Sequence, residues 1–226
     1  MSDKYPSLSP YAYCGNNPVK LVDPDGEDIW IQGDYGQYRY TNRTLVDKRG
    51  VEITPLQGSY EAQVLNDLNT LADSKNKTII GHLNDLENSS HKHIITNKTT
   101  LKGNSGNFAI PDNYNNSKNA KIGCGSLILY DPNFTTDYPD GANSFGTSSL
   151  AHELLGHAWD YDNGLNSEKR TDNGIPFKEI NAVNIQNIIL KEHGYRTRTQ
   201  YGVKINKTTE WRTIPSNLLN TYFITK

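Results

Sequence analysis

The sequence predicts an α+β domain, and three observations carry that expectation. Val64, Leu65, Leu68, Leu71 and Ala72 recur at helical spacing between Tyr60 and Ser74, as one face of an amphipathic helix does. Ile29, Trp30, Ile31, Tyr38 and Tyr40 are set among polar residues and glycines, and Leu127-Ile128-Leu129-Tyr130 is a short apolar run; both read as β structure. A third stretch, Leu150 to Trp159, is apolar but encloses His152-Glu153-Leu154-Leu155-Gly156-His157.

The elements follow in order. Residues from Asp28 to about Thr54 read as a hairpin. The helix from Tyr60 to Ser74 precedes a second, shorter one from about Thr78 to Glu87, then a strand through His93-Ile94-Ile95. Asn104 to Ser117 is polar and glycine-rich, so a mobile loop is expected there. The strongest strand lies between Gly125 and Asp131. Thr147-Ser148-Ser149 offers three N-caps for the motif helix, which should stop near Asn163-Gly164. Pro176 suits the first turn of a last helix running to about His193-Gly194.

The start of the chain differs from the rest. Proline and Asn/Asp/Gly turns crowd Lys4 to Gly26, with too few apolar residues to bury a core. Asn16-Asn17-Pro18 followed by Asp23-Pro24-Asp25-Gly26 closely resembles the end of the RHS-repeat core, the shell that encloses bacterial polymorphic toxins. The resemblance implies a shell remnant over residues 1–26 and a toxin domain over 27–226. It also implies that Asp23 and Asp25 belong to a self-cleavage motif, and that a cognate immunity protein and the RHS shell are partners.

Composition excludes several classes. The chain has 226 residues and a formal net charge of −2, with no basic stripe for nucleic acid and no polybasic segment for an anionic membrane. Its apolar runs are too short to span a bilayer. The first residues lack the apolar stretch of a secretory signal, so export is expected as cargo of a larger toxin acting in a target cell. Cys14 and Cys124 are read as two unpaired thiols.

The chemistry is concentrated in His152-Glu153-Leu154-Leu155-Gly156-His157. Two imidazoles to hold zinc and a carboxylate to take a proton from activated water are what a hydrolytic metal site needs. The usual zincin motif has two residues between Glu and the second His; here there are three. Residues five apart on an α-helix lie roughly 140° round from one another, so His152 and His157 cannot serve one ion from a regular helix. A single π-type turn restores the alignment, and Gly156 has the backbone freedom to permit it. Downstream, Glu179 begins a half-buried stripe with Val183, Gln186 and Leu190, where a carboxylate needs a partner. Asp160 and Asp162 are rival third ligands, although their place near Asn163-Gly164 also suits a solvated helix end. His82, His91, His93 and His193 read as ordinary structural or solvated histidines.

Two resemblances bear on this site. The His-Glu-Leu-Leu-Gly-His hexapeptide resembles the zinc motif of dipeptidyl peptidase III, a gluzincin that tolerates the extra residue. There a downstream Glu-Glu-x-x-Ala motif supplies the third ligand, which implies Glu179 in Lys178-Glu179-Ile180-Asn181-Ala182, with Lys178 departing from the pattern. From about Tyr60 to Tyr201 the chain resembles the NleD-type effector metallopeptidases: a helix pair, a strand, the His-Glu helix, then Glu179 with Asn184 or Asn187. Arg196-Thr197-Arg198-Thr199-Gln200-Tyr201 is similar to that family's closing Arg-x-x-Tyr.

The expectation is therefore a zincin-like metallopeptidase domain of the gluzincin type that acts as a toxin or effector in bacterial competition. Zinc is held by His152, His157 and Glu179, Glu153 is the general base, and Tyr201 is a candidate for stabilising the oxyanion. The strand at Ser126 to Tyr130 is a candidate for pairing with an extended protein or peptide substrate. A hydrolase of peptidoglycan peptides and a non-catalytic binding module or degenerate toxin are the alternatives.

Overall fold

The computed structural model of the protein describes residues 28–97, 106–205 and 207–220. The shell-like segment 1–26, with Cys14, Asp23 and Asp25, lies outside the described residues, as does Glu27.

A seven-stranded sheet forms the floor. Its strands are β1 (Ile29–Gln32), β2 (Gln37–Thr41), β3 (Thr44–Val46), β4 (Glu52–Ile53), β5 (His93–Thr96), β6 (Phe108–Pro111) and β7 (Ser126–Leu129), in the order β4-β3-β2-β1-β5-β7-β6. β1, β5 and β7 are parallel neighbours, with Ile31 opposite Ile95 and Ile95 opposite Ile128. The first four strands make an antiparallel meander, which extends the hairpin expected over 28–54.

The expected helix pair is present as α1 (Tyr60–Ala72) and α2 (Lys77–Glu87). Ser59 accepts from the Ala62 N–H and Asn76 from the Thr78 N–H, so each helix starts on a side-chain cap. Val64, Leu68 and Leu71 of α1 and Ile79, Leu83 and Leu86 of α2 fill one face and close over Ile29, Ile31, Ile95 and Ile128. The helical segment bearing the His-Glu motif completes this core with Leu150, Ala151, Leu154, Leu155 and Ala158.

Two expectations are corrected here, and two hairpins are added. The polar stretch expected as a mobile loop holds β6 in the part that is described, because Phe108, Ala109 and Ile110 pair antiparallel with β7. β7 is therefore an inner strand with both neighbours occupied, and it has no free edge for a substrate; β6 is the edge. A hairpin of β10 (Gln200–Ile205) and β11 (Thr208–Thr213), and a smaller one of β8 (Thr136–Asp137) and β9 (Asn143–Ser144), were not expected from the sequence. β11 is largely exposed and carries Thr and Glu, whereas β10 alternates Tyr201, Val203 and Ile205, of which Tyr201 and Val203 pack against Ile175, Ile180, Val183 and Ile214.

A buried carboxylate ties these layers together. Asp67 of α1 accepts from the Tyr130 hydroxyl at 2.6 Å and from the Thr147 hydroxyl at 2.7 Å, which joins the helix pair to the end of β7 and to the start of the motif helix. Asp67→Ala strands both hydroxyls, and unfolding in urea should show a loss of about 2–4 kcal/mol.

Candidate metal centre

The motif segment is one continuous helical run in three parts: α3 (Gly146–Leu150), a π-helix (Ala151–Ala158) and α4 (Trp159–Asp162). Its N-cap is Phe145. The expected caps lie inside the first turn, where Thr147 reaches Asp67 and the Ser148 hydroxyl both accepts from and donates to the Phe145 backbone. The run ends as expected, with Asn163 as C-cap and Gly164 in the left-handed region at φ 63°.

The sequence calls for one π turn; the structure has eight residues of π-helix, all of them buried. The Trp159 N–H reaches the Leu154 carbonyl, a bond over five residues. α2 braces this wider winding. His82 Nδ1 lies 2.8 Å from the Leu155 carbonyl, and its ring stacks on Trp159 with centroids 3.9 Å apart.

Gly156 also has a different role from the one expected. Its φ is not positive, and what it supplies is space: a Cβ there would lie 2.8 Å from Cα and Cβ of Ala182. Ala182 sits on α5 (Phe177–Glu192), so the glycine lets the two helices touch at the turn between the two histidines. Pro176 is the N-cap of α5, one position before its first turn, and Glu179 lies in that turn.

The π winding brings His152 and His157 to one face, with ring centroids 5.0 Å apart. Glu179 Oε2 lies 3.2 Å from His157 Nε2 and 3.9 Å from His152 Nε2. One ligand atom from each of these three residues falls within 4.8 Å of the other two, and among the described residues no other such group of His, Cys, Asp or Glu occurs. A tetrahedral ion bound at about 2.0–2.2 Å holds its ligand atoms roughly 3.3 Å apart, so these residues fit a metal with small side-chain adjustments. Two imidazole nitrogens and a carboxylate oxygen are donors that suit zinc.

Burial shapes the electrostatics. Desolvation, with the neighbouring His157 charge, pushes His152 well below its usual range. For His157 burial opposes the charge, but Glu179 outweighs it and raises the imidazole to about 9. Burial likewise works against the Glu179 carboxylate, yet His157 and His152 hold it well below the usual range. Burial lifts Glu153 to about 8, while an N–H of Ala109 in β6 hydrogen-bonds its carboxylate.

Around this group the structure assembles residues that the motif alone did not single out. A cavity of about 230 Å³ opens onto His152 and Glu153, lined also by Ser149, Gln186, Tyr138 and Arg198. Arg198 is buried, donates to Gln186 Oε1 at 2.7 Å and lies over the Tyr138 ring at 3.9 Å. Asn187 fixes its backbone through two hydrogen bonds, and Asp140 accepts from the next two backbone N–H groups, Thr199 and Gln200. The signal in the sequence was the Arg-x-x-Tyr spacing of Arg198 and Tyr201, which the local pattern could not place near the motif. Tyr201 points to Glu179, with which its phenol hydrogen-bonds.

The rival residues lie elsewhere. Asp160 is buried but outside the three-residue group. Asp162 faces away: its Oδ1 accepts from the Ser89 hydroxyl and lies 2.9 Å from His91 Nδ1 and 3.2 Å from His93 Nε2. His91 and His93 thus tie β5 to the end of the motif helix. His193 bonds the Ile189 carbonyl at the end of α5, and Asn184 holds the backbone at Leu218 and Asn220.

A mixed sheet backed by helices, with a buried His-His-Glu group that could bind a metal ion, is the architecture expected of a metal-dependent peptidase. Residues 47–187 match the family model Peptidase_M91, described as effector protein, and the chain belongs to this effector peptidase family. The matched stretch runs from the sheet meander through the motif helix and Glu179 to Asn187; Arg198 and Tyr201 lie beyond it. No curated protein matches the chain. Among the described residues no helix is long and apolar enough to cross a membrane.

Two outcomes follow from this geometry. Gly156→Ala should cost about 1–3 kcal/mol by overpacking against Ala182, and calorimetric metal titration should show weaker binding as α5 is pushed away. Asp162 is opposed by burial but held below 3.8 by its bonds to His93, Ser89 and His91. Its folded value lies below its unfolded one, so its contribution is complete above 3.8 and lost as pH falls through the folded value. Urea unfolding of Asp162→Asn should therefore differ from the parent at pH 7 by about 1–2 kcal/mol and converge with it in strong acid.

Proposed function

We propose that this protein is a zinc-dependent effector peptidase of the gluzincin type, with Glu153 as its general base. The observation that carries the reading is the convergence of His152, His157 and Glu179 within 4.8 Å, beside a buried Glu153 at the wall of a cavity. His152, His157 and Glu179 would hold the zinc, which supplies Lewis acidity toward the scissile carbonyl and lowers the pKa of water.

The chain's own residues do the remaining work. Glu153, whose carboxyl burial holds at about 8 and which a cation bound beside it would ionise, takes the proton from the attacking water and passes it to the leaving amine; the Ala109 N–H positions its carboxylate. Arg198, a buried cation on the same cavity, faces the negative charge that develops on the carbonyl oxygen. Tyr201, hydrogen-bonded to Glu179, orients that carboxylate, a role nearer to a supporting residue than to the oxyanion partner expected from the sequence. An extended protein substrate passes the end of β6, where the Ala109 N–H is bonded to Glu153 and its carbonyl accepts from the Tyr161 hydroxyl.

The effector family supports a protein substrate and action in a target or host cell. The RHS-like Asn16 to Gly26 segment supports carriage by a shell as a polymorphic toxin, with a cognate immunity protein; residues 27–226 are then the toxin domain.

Metal analysis of the purified protein should find about one zinc per chain, lost in His152→Ala and in Glu179→Ala. Glu153→Gln should keep the zinc and lose at least about 100-fold in peptide hydrolysis. Toxicity that survives Glu153→Gln would instead identify a binding module. Toxicity confined to periplasmic expression would point to peptidoglycan peptides.

A further inference from the structure

A second cavity, of about 370 Å³, adjoins the one at Glu153 and shares Gly106, Asn107 and Phe134 with it. Asn107, two positions before Ala109, lines both cavities, and a strand rises about 3.3 Å per residue, so their shared wall lies roughly 7 Å from the residue that touches Glu153. An extended peptide whose scissile bond lies at Glu153 therefore reaches this shared wall with a side chain about two residues from the bond being cut.

The polar groups around this cavity are mostly committed to the protein's own frame. The Tyr60 hydroxyl donates to the Tyr130 carbonyl, and the Tyr130 hydroxyl to Asp67. Asn107 accepts from the Asp131 N–H, and Asn133 donates to Gln63. What the wall presents to a visitor is the rings of Phe108 and Phe134 and the carboxylate of Asp131, which accepts from the Asn133 N–H at 2.9 Å and lies exposed. Asp131 is the single charged residue among the described residues that line it.

We propose that this cavity is a substrate subsite for a basic side chain, with Asp131 as its specificity-determining residue. The aliphatic stem of Lys or Arg packs on Phe108 and Phe134, and the cation meets the carboxylate with ring faces beside it. An acidic side chain at the same position is repelled. This subsite rests on the hydrolase reading given above.

The test is digestion of a proteome-derived peptide pool by the zinc-loaded full chain, with cleavage sites read by mass spectrometry. Lys and Arg should be enriched about threefold to fivefold at one position within three residues of the cut, the size expected of a partly solvated ion pair. Asp131→Lys should invert that preference toward Asp and Glu, and the milder Asp131→Asn should flatten it; both should still cut peptides that are neutral at that position. Cleavage with no basic preference, or a preference unchanged in both variants, overturns the subsite and leaves the hydrolase intact. Failure of the zinc-loaded parent to cut any peptide beyond the level of Glu153→Gln overturns the hydrolase reading and the subsite with it.

Discussion

The site depends on the pitch of one helix. With three residues between Glu153 and His157, an α-helical winding would point the two imidazoles about 140° apart. The π winding over Ala151–Ala158 brings them together, and much of the surrounding structure supports that winding. His82 reaches the Leu155 carbonyl, Trp159 stacks on His82, and the absence of a side chain at Gly156 lets α5 approach. Glu179 arrives on α5 because that approach is possible. A π-helix of this length is rare, so its persistence here is a property of tertiary packing more than of local preference.

The electrostatics divide labour among neighbours. Two histidines and two glutamates are buried side by side, an arrangement that costs free energy wherever a charge lacks a partner. His157 and Glu179 offset one another, and His152 is held neutral. Glu153 feels both members of that pair, His157 drawing its carboxyl down and Glu179 pushing it up, and a backbone N–H from β6 fixes its position.

Much of this was legible in the sequence, for physical reasons that can be named. The helices α1 and α2 carry side-chain caps and apolar spacings that act locally, while α5, buried on nearly every side instead of along the half-buried stripe expected, is bounded by Pro176 and Gly194; all three came within a residue or two of expectation. His152, Glu153, His157 and Glu179 stood out because carboxylates and imidazoles in apolar settings need partners, and the fold brings those four residues together. β6 was hidden because its four residues sit in a polar, glycine-rich stretch and gain their strand character only by pairing with β7. The place of Arg198 was hidden too. It is set by Asp140 and Asn187, which are far from it in the chain or on another element, and no local pattern reveals such tethers. Gly156 was read for its backbone freedom when the decisive fact was the proximity of Ala182, a contact that spacing alone does not contain.

An extra residue in a helix ordinarily rotates everything beyond it by about 100° and scrambles whatever face it carried. Here the additional residue is absorbed as wider winding, so the flanking turns keep their bearings and the core on either side is undisturbed. Distance along the chain and distance around an ion are separable quantities, and a search for relatives that demands a fixed gap between the two histidines will pass over proteins built in this way.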